Sequence, residues 1–236
     1  MKNFKATDGK PAERASAVMM GMISSLDEGQ MRDVAAWFAA QKQVGDKAKN
    51  DPKTSPQGQK LYRAGDVAKG LPACAGCHGT YGANEKYPNL LIPESIIQTD
   101  SALYTSNYSN PQFVEWFNKS WFTSGDHPAQ LVPYRGYIAP PLDGIWMTAP
   151  YMHNGSVPDL ETMLNSKKRP KYWQRDFLKQ SYNYDIPGWN YEKKETPGGS
   201  EVYNTTLKGF GNYGHYFGDK LSRKKRKAVI EYLKTL

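Results

Sequence analysis

The sequence predicts an all-α, loop-rich chain, on three observations. Two distant stretches carry the same helical pattern, glycine and proline are plentiful between them, and a Cys-x-x-Cys-His cluster follows a short apolar segment. The first pattern runs from Leu26 to Phe38 and the second from Leu221 to Leu233. Leu26, Val34, Trp37 and Phe38 match Leu221, Val229, Tyr232 and Leu233, at i, i+8, i+11 and i+12, which is one face of a helix. Ser25 with Glu28 reads as a capping box for the first helix, and Ser222 as the N-cap of the second. The 21 Gly and 16 Pro, with 16 Tyr and 6 Trp, suit loops wrapped round a large flat apolar object, although an ordinary tyrosine-rich globular chain has the same composition.

At 236 residues, one large domain or two small ones can form. No apolar run approaches the roughly 18 residues of a membrane span. The formal charge of +8 admits nucleic acid, an anionic surface or an acidic protein as partner. Nothing in the chain resembles a nucleic-acid-binding signature, so nucleic acid is not expected.

The two cysteines lie three residues apart, in Cys74-Ala-Gly-Cys77-His78, too few and too close for a disulfide framework. Two thiols separated by small residues can each bond one vinyl group of a porphyrin, with the next histidine beneath the iron as proximal ligand. A thioredoxin-like redox pair needs no trailing histidine and sits in a βαβ pattern, which is not seen here. A zinc site needs a second ligand pair of matching spacing. Covalent haem c is the expected cofactor, held by Cys74, Cys77 and His78.

Gly58-Gln-Lys-Leu61-Tyr62 before the motif and Gly79-Thr-Tyr-Gly82 after it resemble the class I cytochromes c. Over residues 12–90 the resemblance is to two-domain members joined tail to head. It implies residues 1–44 as the C-terminal part of a cytochrome c domain whose haem-bearing half is missing. Residues 45–57, charged and proline-containing, are the expected linker, and residues 58–236 an enlarged haem domain. Ser16-Ala-Val-Met19-Met20-Gly-Met22 would then hold an axial methionine, Met19 or Met20, for a second haem near residues 16–44; three clustered methionines filling a core is the competing reading. Lys2, Lys5, Lys10, Glu13 and Arg14 interrupt any signal-peptide core. Haem attachment of this kind implies a periplasmic or exported protein, so the chain is expected to be a piece of a longer multihaem protein.

Between motif and last helix lies a large insertion. Tyr137-Ile-Ala-Pro-Pro-Leu-Asp-Gly-Ile-Trp146-Met-Thr-Ala-Pro-Tyr-Met-His153-Asn-Gly-Ser, Gly211-Asn-Tyr-Gly-His215-Tyr-Phe-Gly218 and Thr99-Asp100 resemble the C-terminal haem domain of the diheme cytochrome c peroxidase and rubber oxygenase superfamily, over residues 72–236. In that family this haem passes electrons and has two protein ligands, while the catalytic N-terminal haem domain has no counterpart here. The resemblance favours His215 as the sixth ligand beside His78. Met163 and His153 are the alternatives, His153 otherwise hydrogen-bonding near the haem. His127, Met147 and Met152 complete the candidates, His127 reading as a surface residue. Arg135, Tyr137 and Trp146 are candidate contacts to the haem carboxylates or ring edge, against a bland surface arginine and core aromatics.

Arg223-Lys-Lys-Arg-Lys227 opens the last helix against its dipole, and Lys167-Lys-Arg-Pro-Lys171 adds a second basic cluster. They read as a docking face for an acidic redox partner, or as solvated surface. The expected function is one-electron transfer through a six-coordinate haem, within a multihaem chain or redox complex and with no residue assigned to catalysis. A haem peroxidase or oxygenase is the alternative, and a structural haem subunit the third reading.

Overall fold

A computed structural model describes residues 27–40, 52–79, 90–125, 128–176 and 182–236. The chain divides into two compact units, residues 1–45 and 46–236. In the first, helix α1 (Glu28–Ala40) starts two residues later than its serine suggested. The reciprocal cap is Asp27 with Gln30: Asp27 Oδ1 accepts the Gln30 N–H at 2.8 Å and Gln30 Oε1 accepts the Asp27 N–H at 3.0 Å. Met31 is buried in this unit.

The second unit is organised by α2 (Thr54–Ala64), which begins inside the segment read as linker, and α7 (Arg223–Leu233). Pro56 falls in the first turn of α2, where a missing N–H costs nothing. Gly58 lets the two backbones meet: a β-carbon there would stand 2.0 Å from the Ala228 carbonyl oxygen. Leu61, Tyr62, Val229, Ile230, Tyr232 and Leu233 pack along the crossing, with Tyr62 and Tyr232 rings 5.2 Å apart. Ser222 caps α7 by accepting the Lys225 N–H.

The basic start of α7 is only partly a surface feature. Lys225 pairs with Asp66, whose carboxyl it holds below the ordinary range. Arg226 is buried and donates to the carbonyls of Leu164 and Leu221 and to Glu161. Arg223, Lys224 and Lys227 face solvent. In the last turn, Lys234 is sealed against Glu231 at 2.9 Å.

Short helices α3 (Glu94–Ile97), α4 (Ala102–Ser109), α5 (Pro111–Lys119) and α6 (Leu160–Met163) fill much of the insertion. The expected all-α class is wrong, because three small antiparallel sheets occupy the rest of it. Strand β1 (Leu91–Pro93) pairs with β2 (Gly136–Ile138). Strand β3 (Tyr172–Arg175) lies between β6 (Tyr191–Lys194) and β7 (Tyr203–Asn204), and β4 (Tyr182–Asn183) pairs with β5 (Gly188–Trp189). The physical reason lies in residues 172–204, where large aromatics alternate with polar residues between Gly and Pro breaks. That is a pattern for pleated, half-buried ribbons and not for a helix. Trp173 is buried there, stacked at 5.1 Å on Tyr203, and its Nε1–H reaches the Ser156 carbonyl at 3.2 Å.

Because α2 and α7 touch through backbone at Gly58, Gly58→Ala is expected to lower stability by about 1–3 kcal/mol through overpacking. Thermal unfolding of the haem-loaded protein checks this, with Gly199→Ala, which meets nothing within 4 Å, unchanged.

Candidate functional site

From α2 the chain turns through a bridge between Asp66 and Leu71 into a 3₁₀ turn, Cys74–Gly76. The Cys77 and His78 N–H groups both bond the Cys74 carbonyl, at 3.1 and 3.0 Å. This turn places Cys74, Cys77 and His78 on the wall of one cavity of about 400 Å³. Leu61, Val229 and Leu233 from the helix crossing form part of the same wall, with Leu71 from the bridge before the turn and Ile92, Ile97, Leu142 and Phe217 from the insertion. Burial pushes the Cys74 thiol up to about 11 and raises that of Cys77. A disulfide-exchange pair needs the opposite, a depressed thiol pKa.

His78 Nδ1 lies 2.7 Å from the Pro140 carbonyl, a contact that fixes the tautomer and leaves Nε2 as the lone-pair nitrogen. Desolvation lowers the His78 pKa, so the ring is neutral. His215 also lines the cavity, and its ring centre is 6.3 Å from that of His78. A metal–imidazole bond of about 2 Å on each side, plus the half-width of each ring, spans roughly that separation. Burial, then the neighbouring His78, takes the His215 pKa down to about 4, again a neutral ring. Its Nδ1 is sealed without a hydrogen-bond partner. An apolar slot lined by two thiols and by two neutral imidazoles whose ring centres are 6.3 Å apart fits haem c.

The loop carrying His215 is held by buried Asp100 and by half-buried Arg169 and Asp219. His215 adopts a left-handed backbone, φ 49°, and Gly214 before it has φ 84° and no room for a β-carbon, which would lie 2.4 Å from Gln98 carbonyl atoms. The His215 N–H bonds the Ile97 carbonyl at 2.7 Å. Arg169 donates to the carbonyls of Asn212 and Gly214 at 2.6 and 2.7 Å, and to those of Thr162 and Met163. Asp219 accepts from the Ser166 N–H and hydroxyl. The Asp100 carboxylate accepts from the N–H groups of Ala102, Gly209 and Gly211. Burial opposes its charge, but these donors and the Tyr213 hydroxyl outweigh it and hold its pKa below the usual carboxylate value.

Residues 136–174, which supply Tyr137, Pro140, His153, Met163 and Arg169, match a family described as RoxA-like, cytochrome c-like. Over 86 residues, 35% of the chain, the sequence is 38% identical to a cytochrome c4 of Pseudomonas aeruginosa, covering 42% of that protein. The cytochrome c4 of Stutzerimonas stutzeri is 39% identical over 86 residues, 40% of its length. The chain is a c-type cytochrome. A third relative of this cytochrome, a thiosulfate dehydrogenase electron acceptor of Thiomonas intermedia, is 35% identical over 81 residues. The chain spans less than half the length of each of these relatives: 42%, 40% and 37%.

Of the other residues singled out in the sequence, Tyr137, His153, Met152 and Met163 line the cavity of the cytochrome. His153 stacks on Tyr137 at 4.0 Å, and the Tyr137 hydroxyl donates to the Asp100 carbonyl. Desolvation lowers the His153 pKa. Met152 has φ 69°, and its sulfur accepts from the Ser156 hydroxyl. Arg135 is exposed, Met147 is 57% exposed, and buried Trp146 packs near Tyr184, outside the cavity lining. Met19, Met20 and His127 lie outside the described residues. Sequence reasoning passed over Pro140, Arg169 and Asp219, and took Arg169 for part of a surface cluster. The signal for Arg169 was its place before Pro170, where a buried Pro fixes the chain and turns one cation of the run inward.

The depressed Asp100 pKa makes a directional prediction. Its stabilisation is present above about pH 4, the ordinary carboxylate value, and is lost as pH falls through the lower folded value. Asp100→Asn is expected to loosen the 209–219 loop already at pH 7. The check is the fraction of ferrous protein that binds carbon monoxide, which rises in the variant, whereas the parent shows that rise only in acid.

Proposed function

We propose that this cytochrome carries single electrons through one covalently attached haem c, ligated by His78 and His215. The observation that carries the proposal is the pair of neutral, half-buried imidazoles, ring centres 6.3 Å apart, on the wall of an apolar cavity beside Cys74 and Cys77. Haem c bound there supplies a reversible one-electron couple at iron. Cys74 and Cys77 tether it. His78 is oriented by the Pro140 carbonyl, and His215 by the Ile97 contact and the Arg169 clamp. The apolar walls exclude water, and two protein ligands leave no open position for a small molecule. Two imidazoles set a lower potential than an imidazole and a thioether would.

The reading extends to context. Covalent attachment of this kind takes place outside the cytoplasmic membrane, which favours a periplasmic or exported location. Among the described residues no helix is long and apolar enough to cross a membrane. The resemblance of residues 12–90 to two-domain cytochromes supports a longer multihaem chain, with Met19 or Met20 serving a second haem. The relative named as an electron acceptor supports a redox protein as partner. The exposed cations Arg223, Lys224, Lys227, Lys167 and Lys171 favour an acidic one.

Optical spectra of ferric and ferrous protein with added carbon monoxide test the site. The expected spectrum is low-spin and unmoved by carbon monoxide, and His215→Ala should bind the gas readily. A high-spin ferric parent that binds it would overturn electron transfer in favour of peroxide or dioxygen chemistry at an open iron.

A further inference from the structure

His78 has its Nδ1 contact in the Pro140 carbonyl, but His215 has no equivalent. A second polar atom on the cavity wall is in the same condition. Thr99, 3% exposed, has its Oγ1 sealed from water without a hydrogen bond. The two residues sit on adjacent backbone segments: His215 N–H bonds Ile97 O at 2.7 Å, and a β-carbon on Gly214 would lie 2.5 Å from Thr99 N. Both side chains line the same cavity. They are also chemically complementary. A neutral imidazole with one nitrogen on a metal has one N–H to donate, and a threonine hydroxyl has lone pairs to accept it and a proton free to rotate elsewhere. Leaving both buried and unpaired is costly.

We propose that Thr99 is a positioning residue whose Oγ1 accepts the His215 Nδ1–H, so that Nε2 is the nitrogen presented to the iron. The inference rests on His215 being the sixth ligand. An accepted N–H makes the imidazole a stronger donor, and so favours the ferric state. Thr99 thereby sets the potential without touching the metal.

The test is redox titration of haem-loaded Thr99→Val and Thr99→Ser. The valine, equal in shape, should shift the ferric–ferrous equilibrium toward ferrous by up to tenfold, about 59 mV for one electron. The serine, which keeps the hydroxyl, should restore the parent value. An unchanged potential in Thr99→Val overturns the proposal. So does a lowered one, which would mean that the hydroxyl donates to a haem carboxylate instead. His215→Ala separates the two levels of the argument. If that variant stays low-spin and closed to carbon monoxide, the ligand assignment fails. If it opens while Thr99→Val is silent, only the role of Thr99 fails. Should Thr99→Val not retain haem, proton NMR of the ferrous parent decides: a slowly exchanging His215 ring N–H in contact with the Thr99 methyl supports the pair, and the absence of that contact overturns it.

Discussion

The structure depends on keeping two uncharged imidazoles opposed across an apolar cavity. A buried ring that took up a proton could not serve as a ligand, and in this cavity it would have no counter-ion. Desolvation suppresses that proton at both His78 and His215. The same apolar surroundings that keep the rings neutral offer them few hydrogen bonds, so their orientation has to come from backbone. His78 takes it from a carbonyl in a Pro-Pro step that cannot move easily. His215 takes it from a left-handed turn that only a preceding glycine admits.

That turn is unfavourable by itself, and the charges around it explain its persistence. Arg169 binds carbonyls before and within the loop, Asp100 binds amides at its start, and Asp219 ties its end to Ser166. Cation meets carbonyl and anion meets amide, so each charge is satisfied by backbone that would otherwise be buried unpaired. Asn154 adds two more bonds, to the carbonyls of Gly209 and Gly211. The run Tyr151-Met-His-Asn-Gly-Ser is therefore a bracket for the ligand loop as much as a wall of the cavity.

How much of this was legible in the sequence follows from the range of the interactions. Cys74, Cys77 and His78 lie within one turn of chain, so the expectation of a covalent haem could be drawn from their spacing alone, and the structure sets all three on one cavity wall. The closing helix is legible because its apolar period is local, and Ser222 caps it as its position suggests. The sheets were missed because their strands are two to four residues long and draw their stability from Trp173 packing on Tyr203, a pairing thirty residues apart. The cap of α1 moved from Ser25 to Asp27 because serine and aspartate are near-equivalent there, and Gln30 answers Asp27. Arg169 and Arg226 looked like surface charge because nothing local distinguishes a cation that turns inward. Their carbonyl acceptors lie up to 62 residues away.

The inward cations also bear on what the site can do. A haem protein that must bind and release a small molecule needs one face of the iron free, or a ligand loop that detaches at little cost. A haem held by His78 would meet, on its other side, the His215 ring on a loop fastened at its start, middle and end by Asp100, Arg169 and Asp219. Releasing His215 would mean unseating Arg169 from several carbonyls at once, each left unpaired in an apolar interior. A loop so held suits an iron whose coordination stays the same in both oxidation states, because little then has to rearrange when the electron moves. The geometry therefore favours a conductor over a catalyst, and it does so through residues outside the first turn around the metal.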